Sequence, residues 1–270
     1  MKVILTGGTG NIGKSIQRFA NFDIVYLNRN DWNSLDILMN SEIDLVVHVA
    51  GDLKVNPANE PLNFLESNLR STVLLLESMA RYKVDRLIFL SSCAVYGNSV
   101  FASETDACNP ITINGVIKLL NEMIIQSFCI KNQIEFRILR AFNVIGGVDR
   151  YSIFNHIKQS LISKNKFYLH NNGIGVRDFI HVDDVAKIIC EVAENNYSFD
   201  ILNIGTGIPT QINDVVSMVR NKFPELIINH IKTVEIEQSI ANIEKLKRFS
   251  NLNFIKVEDF IENEFMLEIQ

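Results

Sequence analysis

The sequence predicts an α/β fold: a doubly wound parallel sheet with a small C-terminal lobe. Two patterns carry this expectation. Short, wholly apolar runs alternate with helix-patterned stretches. Strands covered on both faces read as continuous apolar runs, and helical crossovers between them require parallel neighbours. The first run, Val3–Leu5, also ends in glycines at 7, 10 and 13 and leads directly into an amphipathic stretch. The 270 residues, 47% of them apolar, suffice for one large α/β domain or for such a domain with a lobe grown from its loops.

In order, the strand-like runs are Val3–Leu5, Ile24–Leu27, Leu45–Val49, Leu87–Leu90, Ile134–Leu139 and Ile201–Ile204. Helical patterns fall at 12–20, 61–82, 114–131 and 183–195. Right-handed crossovers and a change of direction beside the first strand place a ligand cleft at the C-terminal ends of the strands.

Residues 2–13 read as strand, tight turn and helix. A Cβ in the turn would keep backbone amides from closing on a pyrophosphate. The helix start offers unpaired N–H groups and the positive end of its dipole. Gly7, Gly10 and Gly13, with Asn11 and Ile12 at the helix start, are therefore candidate dinucleotide contacts. A purely structural turn is the alternative. The second strand ends Tyr26-Leu-Asn-Arg-Asn-Asp31. An acid at this exit holds a ribose 2′-hydroxyl, whereas a basic residue suits a 2′-phosphate. Asn28 stands where the acid is usual and Arg29 follows, which favours NADP(H). NAD(H) stays open because Asp31 is near enough to reach the ribose, and Arg29 also reads as a solvated loop charge.

Ala50 and Gly51 form a small-residue turn where bulk would collide with a bound cofactor. His48, inside an apolar strand, reads as a packed core residue rather than a catalytic one. Asn68, on the long helix, joins the cofactor candidates although an asparagine alone is uninformative. At the end of the fourth strand, Ser91 and Ser92 put a hydroxyl in the mouth of the cleft. Pro110 fits a helix start. On the helix that follows, Asn114, Lys118 and Glu122 recur every four residues and share a face. Exposed polar positions on a surface helix would look the same.

Several classes are excluded. A net charge of −5 without a lysine/arginine block gives no reason to expect nucleic acid. No apolar run approaches about 18 residues, so no membrane span is expected. Met1 leads directly into a strand, and a signal peptide is not expected. Cys93, Cys108, Cys129 and Cys190 lack CxxC spacing, and the five histidines lack ligand spacing, so neither a disulfide framework nor a metal site is indicated. A reducing cytoplasm is the simplest location.

With these residues assembled, the chain resembles the extended short-chain dehydrogenase/reductases. The likeness is to their nucleotide-sugar epimerases, dehydratases and 4-ketoreductases, over roughly residues 1–255. The glycine loop matches GxxGxxG, and Ser91–Gly97 matches S-[ST]-x-x-V-Y-G. Leu139–Gly146 is similar to L-R-x-x-N-V-Y-G, with Ile145 in place of tyrosine. Val176–Val185 matches R-D-[FY]-I-H-V-x-D, and Asn203–Gly207 matches N-I-G-x-G.

The resemblance implies a Rossmann-like domain (1–145 with 178–205) and a substrate lobe (146–177 with 206–270). In such enzymes a tyrosine moves a proton while hydride passes to or from the cofactor. A lysine four residues later holds the nicotinamide ribose and lowers the tyrosine's pKa. By position Ser92 and Lys118 are the serine and lysine, and Asn114 occupies the tyrosine's place. An amide donates a hydrogen bond but carries no proton at neutral pH. This leaves three readings: a substitution variant, a member that moves the proton through Ser92, water and Lys118, or a protein that binds without turnover.

Relatives that dehydrate carry Asp-Glu where this chain has Cys93-Ala94, which argues against dehydration and leaves 4-epimerisation or 4-keto reduction. The second-strand exit resembles that of NADPH-using GDP-fucose synthase and dTDP-4-dehydrorhamnose reductase. It places Arg29 at the 2′-phosphate and Asp36 with Ile37 beside the adenine. Asn143 and Arg177 match substrate diphosphate and nucleoside contacts, although an Arg177 ion pair with Asp178 or Asp183 is the alternative. The segment 231–238 contains none of the arginines relatives use there, and the lobe is short. A homodimer through segments 62–80 and 114–131, with Leu119 and Ile125 in the seam, is implied. Ordinary packing on the sheet is the competing account of those stripes.

Overall fold

The computed structural model describes residues 1–28, 30–51, 61–251, 253–267 and 269. The chain opens β1 (Lys2–Thr6), α1 (Asn11–Phe19), β2 (Asp23–Leu27), α2 (Leu35–Met39) and β3 (Leu45–His48). Helices α3 (Pro61–Leu65) and α4 (Ser71–Tyr82) follow, joined by a wider π turn at Glu66–Arg70. Next come β4 (Arg86–Ser92), β5 (Ser99–Ala102), α5 (Ile113–Asn132), β6 (Glu135–Ala141) and β7 (Asn143–Ile145). The later elements are α6 (Ile153–Ser163), β8 (Phe167–His170), β9 (Val176–His181), α7 (Val182–Glu194) and β10 (Ile201–Ile204). The last are β11 (Pro209–Gln211), α8 (Ile212–Lys222), β12 (Ile228–Ile231), β13 (Gln238–Ala241) and α9 (Val257–Phe260), which runs into a π turn at Ile261–Phe265.

Among the described residues the main sheet has six strands in the order β10-β6-β4-β3-β1-β2, all parallel. This is the doubly wound sheet the sequence predicts. Its alternating side chains supply two cores. Val3, Leu5, Val47, Ile88 and Leu139 face α1 and α7, meeting Ile16 and Ile189. Ile4, Val46, Leu87, Phe89 and Ile138 face α2, α4 and α5, meeting Met39, Leu75, Met79 and Ile125. By length and composition α5 would pass for a membrane span. Here Ile117, Ile125 and Cys129 are buried, and the helix carries the polar face of Lys118 and Glu122.

Ile125 is thus a sheet-packing residue, and Leu119 packs on the cluster around Cys93 and Tyr96. Ile125 is fully buried and so not available for the dimer seam expected of it, whereas Leu119 is half-buried. The exposed stripe of α5 is Val116, Leu120, Met123 and Ile130.

A second sheet, β11-β9-β13-β5 with β7 on β9, and the pair β12-β8 build the lobe over the C-terminal ends of the main strands. Its core gathers Phe154, Phe167, Phe179, Val216, Phe260 and Phe265. Segments 99–102 and 176–181 pair in this second sheet, although the sequence assigns them mostly to the first domain.

Candidate functional site

The loop between β1 and α1 is built by close packing. Gly10 N donates to Gly7 O at 2.9 Å. A Cβ on Gly13 would collide with Gly7 O and sit 2.6 Å from Gly8 Cα, so only glycine lets the helix lie on the turn. Gly10 precedes α1 without a side-chain cap, and Gly10, Asn11, Ile12 and Gly13 line the cleft. The neighbouring turn is pinned from below: Ala50 N donates to Thr6 Oγ1 at 3.1 Å. That hydroxyl meets His48 Nδ1 at 2.7 Å, and His48 Nε2 lies 3.2 Å from Thr72 Oγ1. Burial, aided by the Lys118 charge, pulls the His48 pKa down to about 3. His48 is a neutral core residue bracing Ala50 and Gly51.

Some expected cofactor residues do other work. The Asn11 side chain donates to Gly146 O at 2.9 Å and accepts from Val148 N at 2.8 Å. Asp31 accepts from Asn28 N at 3.1 Å and so folds the β2 exit on itself. Arg29 lies outside the described residues. Asn28, Asn30, Trp32 and Asn33 line the cleft there, whereas Asp36 and Ile37 do not. These two are corrected for a geometric reason: α2 buries Leu35 and Met39, which turns its other sides outward. Asp36 accepts from Ser78 Oγ at 2.8 Å and pairs with Arg81 at 2.6 Å, and Ile37 is 74% exposed. Asn68, on the π turn after α3, lines the cleft while donating to Phe64 O at 2.9 Å.

The same cleft, about 2340 Å³, holds Ser92, Asn114 and Lys118. Ser92 Oγ accepts from Ala94 N at 3.2 Å, capping the short turn Cys93–Val95. Its hydroxyl proton then serves as a donor. Gly115 lets the first turn of α5 close on this one, since a Cβ there would strike Ala94 O and lie 2.9 Å from Pro110 Cβ. Thr112 caps the helix, accepting from Gly115 N at 3.2 Å. Lys118 Nζ donates to Leu90 O at 2.7 Å and lies 4.7 Å from the Phe89 ring centre. Burial pulls its pKa to about 8 against the opposing Glu122 charge. Asn114 stands one turn before Lys118 on the cleft wall.

Beneath them runs a buried polar network that sequence reasoning missed. Arg140 donates to Glu122 from Nε at 3.1 Å and from Nη2 at 2.6 Å, and from Nη1 to Tyr96 OH at 2.8 Å. Tyr96 OH donates to Asn203 Oδ1 at 2.7 Å, and Ser91 donates to Glu122. Burial raises the Tyr96 pKa to about 12. Held below the cleft floor, Tyr96 is structural and offers no substitute for a proton carrier at 114. Glu122 shares the helix face of Lys118 but belongs to this network.

Toward the lobe, Asn143 Nδ2 donates to Asp178 O at 2.9 Å, and Arg177 donates to Glu237 O at 3.1 Å. Arg177 pairs with Glu235 at 3.7 Å rather than with Asp178 or Asp183. Asp178 instead accepts from Thr206, Gly207 and Ala241 backbone amides, and Asp183 from Ser15. Both Asn143 and Arg177 line the cleft, whose outer wall adds Arg150, Tyr151, Lys166 and Tyr168. No motif marks these last four. Only the outward position of Tyr168 on an alternating strand was readable. Among the described residues there is no cluster suited to a metal ion.

The donor set fits a dinucleotide. Helix-start amides open on the cleft, Gly10 presents no side chain to it, and Lys118 and Ser92 bring polar atoms to the far end. A sequence model of the NAD dependent epimerase/dehydratase family matches residues 3–205. A putative UDP-glucose 4-epimerase of Methanocaldococcus jannaschii is 28% identical over 251 residues, 82% of each chain. The UDP-glucose 4-epimerase of Dictyostelium discoideum is 30% identical over 77% of this chain and 67% of its own length. In structure, the UDP-glucuronic acid 4-epimerase of Bacillus cereus, solved with UDP-glucuronic acid and NAD, superposes with a TM-score of 0.89 over 99% of both chains. At 24% identity that likeness bears on the fold.

Proposed function

The chain belongs to the NAD dependent epimerase/dehydratase family, and on that premise we propose that it is an NAD(P)-dependent nucleotide-sugar oxidoreductase of the 4-ketoreductase or 4-epimerase type. The observation that carries this reading is the convergence of the glycine loop, Ser92 and Lys118 on one cleft. A bound nicotinamide dinucleotide supplies hydride exchange. The loop amides and the start of α1 would hold its pyrophosphate, with Ala50, Gly51 and Asn68 alongside.

Ser92 hydrogen-bonds the reacting sugar oxygen, and the Lys118 charge holds the nicotinamide ribose. Asn114 orients that oxygen without a proton to exchange, so the proton passes through Ser92, water and Lys118, onto the oxygen in reduction and off it in oxidation. Lys118, with its pKa at about 8, exchanges protons near neutrality. Without the positioned acid, turnover falls by about 10²–10⁴. Cys93, which accepts from Ser239 at 3.3 Å, and Ala94 supply no carboxylate for dehydration. Asn143 and Arg177 face the diphosphate side of the substrate. At the β2 exit no carboxylate lines the cleft among the described residues, which supports NADP(H), with NAD(H) the competing cofactor.

A second reading, a silent dinucleotide- and sugar-nucleotide-binding module, is favoured by Asn114 alone. Converting Asn114→Tyr and following nicotinamide absorbance with 4-keto and 4-hydroxy nucleotide sugars separates the readings. A gain of about 10²–10⁴ in rate identifies a disabled enzyme. Equal turnover before and after means another group carries the proton. No turnover in either form, with tight cofactor binding, identifies the module. A homodimer is proposed through the exposed α5 stripe, Val116, Leu120, Met123 and Ile130, together with the exposed Val73 of α4. The four free cysteines suit a reducing cytoplasm.

A further inference from the structure

The turn Gly146–Val148, just after β7, is gripped from two sides by elements far apart in the sequence. From the cofactor side, Asn11 at the start of α1 takes both Gly146 O at 2.9 Å and Val148 N at 2.8 Å. From the opposite side, Glu264 in the C-terminal π turn accepts from Gly147 N at 2.8 Å with one carboxylate oxygen. Its other oxygen lies 2.8 Å from His181 Nε2.

His181 caps α7, its Nδ1 accepting from Asp183 N at 3.2 Å, so Nε2 carries the proton and donates to Glu264. Glu264 is therefore a doubly occupied acceptor fixed by a helix cap. The grip is also steric. Gly147 has φ +67°, and a Cβ there would lie 2.5 Å from Asn11 Oδ1. Gly146 has φ +86°, and a Cβ there would strike the His181 ring.

We propose that Glu264 is a positioning residue for the dinucleotide: through His181 and Gly147 it sets the turn that holds Asn11, and so the first amides of α1, in their anion-binding placement. The inference rests on the dinucleotide reading above. It assigns to the last turn of the chain a part in a site formed near its first residues. Asn11 is the first residue of the phosphate-facing helix and spends its side chain wholly on this turn. If Glu264 lets go, Gly147 N loses its acceptor and the turn is free to shift, carrying Asn11 with it. A glutamine at 264 keeps the size but not the bonding. Its single carbonyl oxygen serves Gly147, and its amide then faces the proton of His181 Nε2.

The test is the dissociation constant for NADH and NADPH, read by nicotinamide fluorescence on the full chain, for wild type, Glu264→Gln, Asn11→Ala and the double variant. The expected result is roughly tenfold weaker binding in Glu264→Gln, the size of one lost charge-assisted hydrogen bond. A double variant little worse than Asn11→Ala alone is expected, because both act through one turn. Equal affinity in wild type and Glu264→Gln overturns the proposal, as does full additivity of the two changes. If wild type binds neither nucleotide, the dinucleotide reading itself has failed. Should Glu264→Gln fold poorly, Gly147→Ala disturbs the same turn on its Asn11 side, where a Cβ would lie 2.5 Å from Asn11 Oδ1, and unchanged affinity there also overturns the proposal.

Discussion

The six-stranded half and the smaller lobe are stabilised differently. In the main sheet every strand pair is parallel, and its middle strands are mostly buried, so position is set by apolar packing on two faces. The lobe's strands run three to six residues in mixed directions around a cluster of phenylalanines. They are tied by polar pins. Asp178 alone takes Thr206 N and Gly207 N at 2.9 Å and Ala241 N at 3.1 Å. Asn171 clamps Thr233 through Thr233 O at 2.8 Å and Thr233 N at 3.0 Å. The proposed nucleotide end is thus a platform of packed apolar faces, while the proposed sugar end is held by individual hydrogen bonds. Changes in the lobe therefore alter what is bound more readily than they alter the fold.

The largest effect that tests this contrast lies under the platform. Arg140→Met strands the fully buried Glu122 carboxylate. A loss of about 3–5 kcal/mol in urea unfolding is expected, as for removal of one partner of a buried pair. A loss below about 1 kcal/mol would show that Glu122 is not held by this network. In the lobe, Asp178→Asn removes the charge that gathers three amides and is expected to cost roughly 1.5–3 kcal/mol. Nucleotide-sugar affinity should fall more than dinucleotide affinity, and equal losses of the two would erase the distinction between the halves.

A third effect is specific in its pH dependence. His48 is neutral in the fold, with its pKa near 3, and charges at its ordinary value near 6.5 when unfolded. The unfolded chain then binds one more proton between these limits. Stability is complete above about 6.5 and falls as pH drops, by up to about 1.4 kcal/mol per pH unit. His48→Gln should flatten that slope by one proton in thermal or urea unfolding, and an unchanged slope would mean that His48 is charged in the fold. The smallest effect belongs to the exposed pair Arg70–Glu66, 2.8 Å apart one turn apart on the surface. Arg70→Ala should change stability by about 0.5 kcal/mol or less.

The platform was legible in the sequence because its physics is local and periodic. Val3–Leu5, Leu45–Val49 and Leu87–Leu90 need only be apolar to be recognised, and Gly13 is dictated by a backbone contact within its own turn. That Ser92 and Lys118 line one cleft was legible because each stands at a fixed place on such an element. The lobe was not, because strands such as Pro209–Gln211 or Gln238–Ala241 are defined by partners distant in the chain. Arg140 with Glu122, and Glu264 with Gly147, are long-range pairs that no spacing announces. Asp36 and Ile37 misled for the opposite reason: a matching local string carries no information about which side of α2 faces the cleft.

The most direct test of the account is calorimetric titration of the folded chain with NADH and with NADPH. Saturable binding at one site per chain is expected for at least one of them, abolished by Gly13→Val in protein that still unfolds cooperatively. A folded chain that takes up neither nucleotide would contradict it.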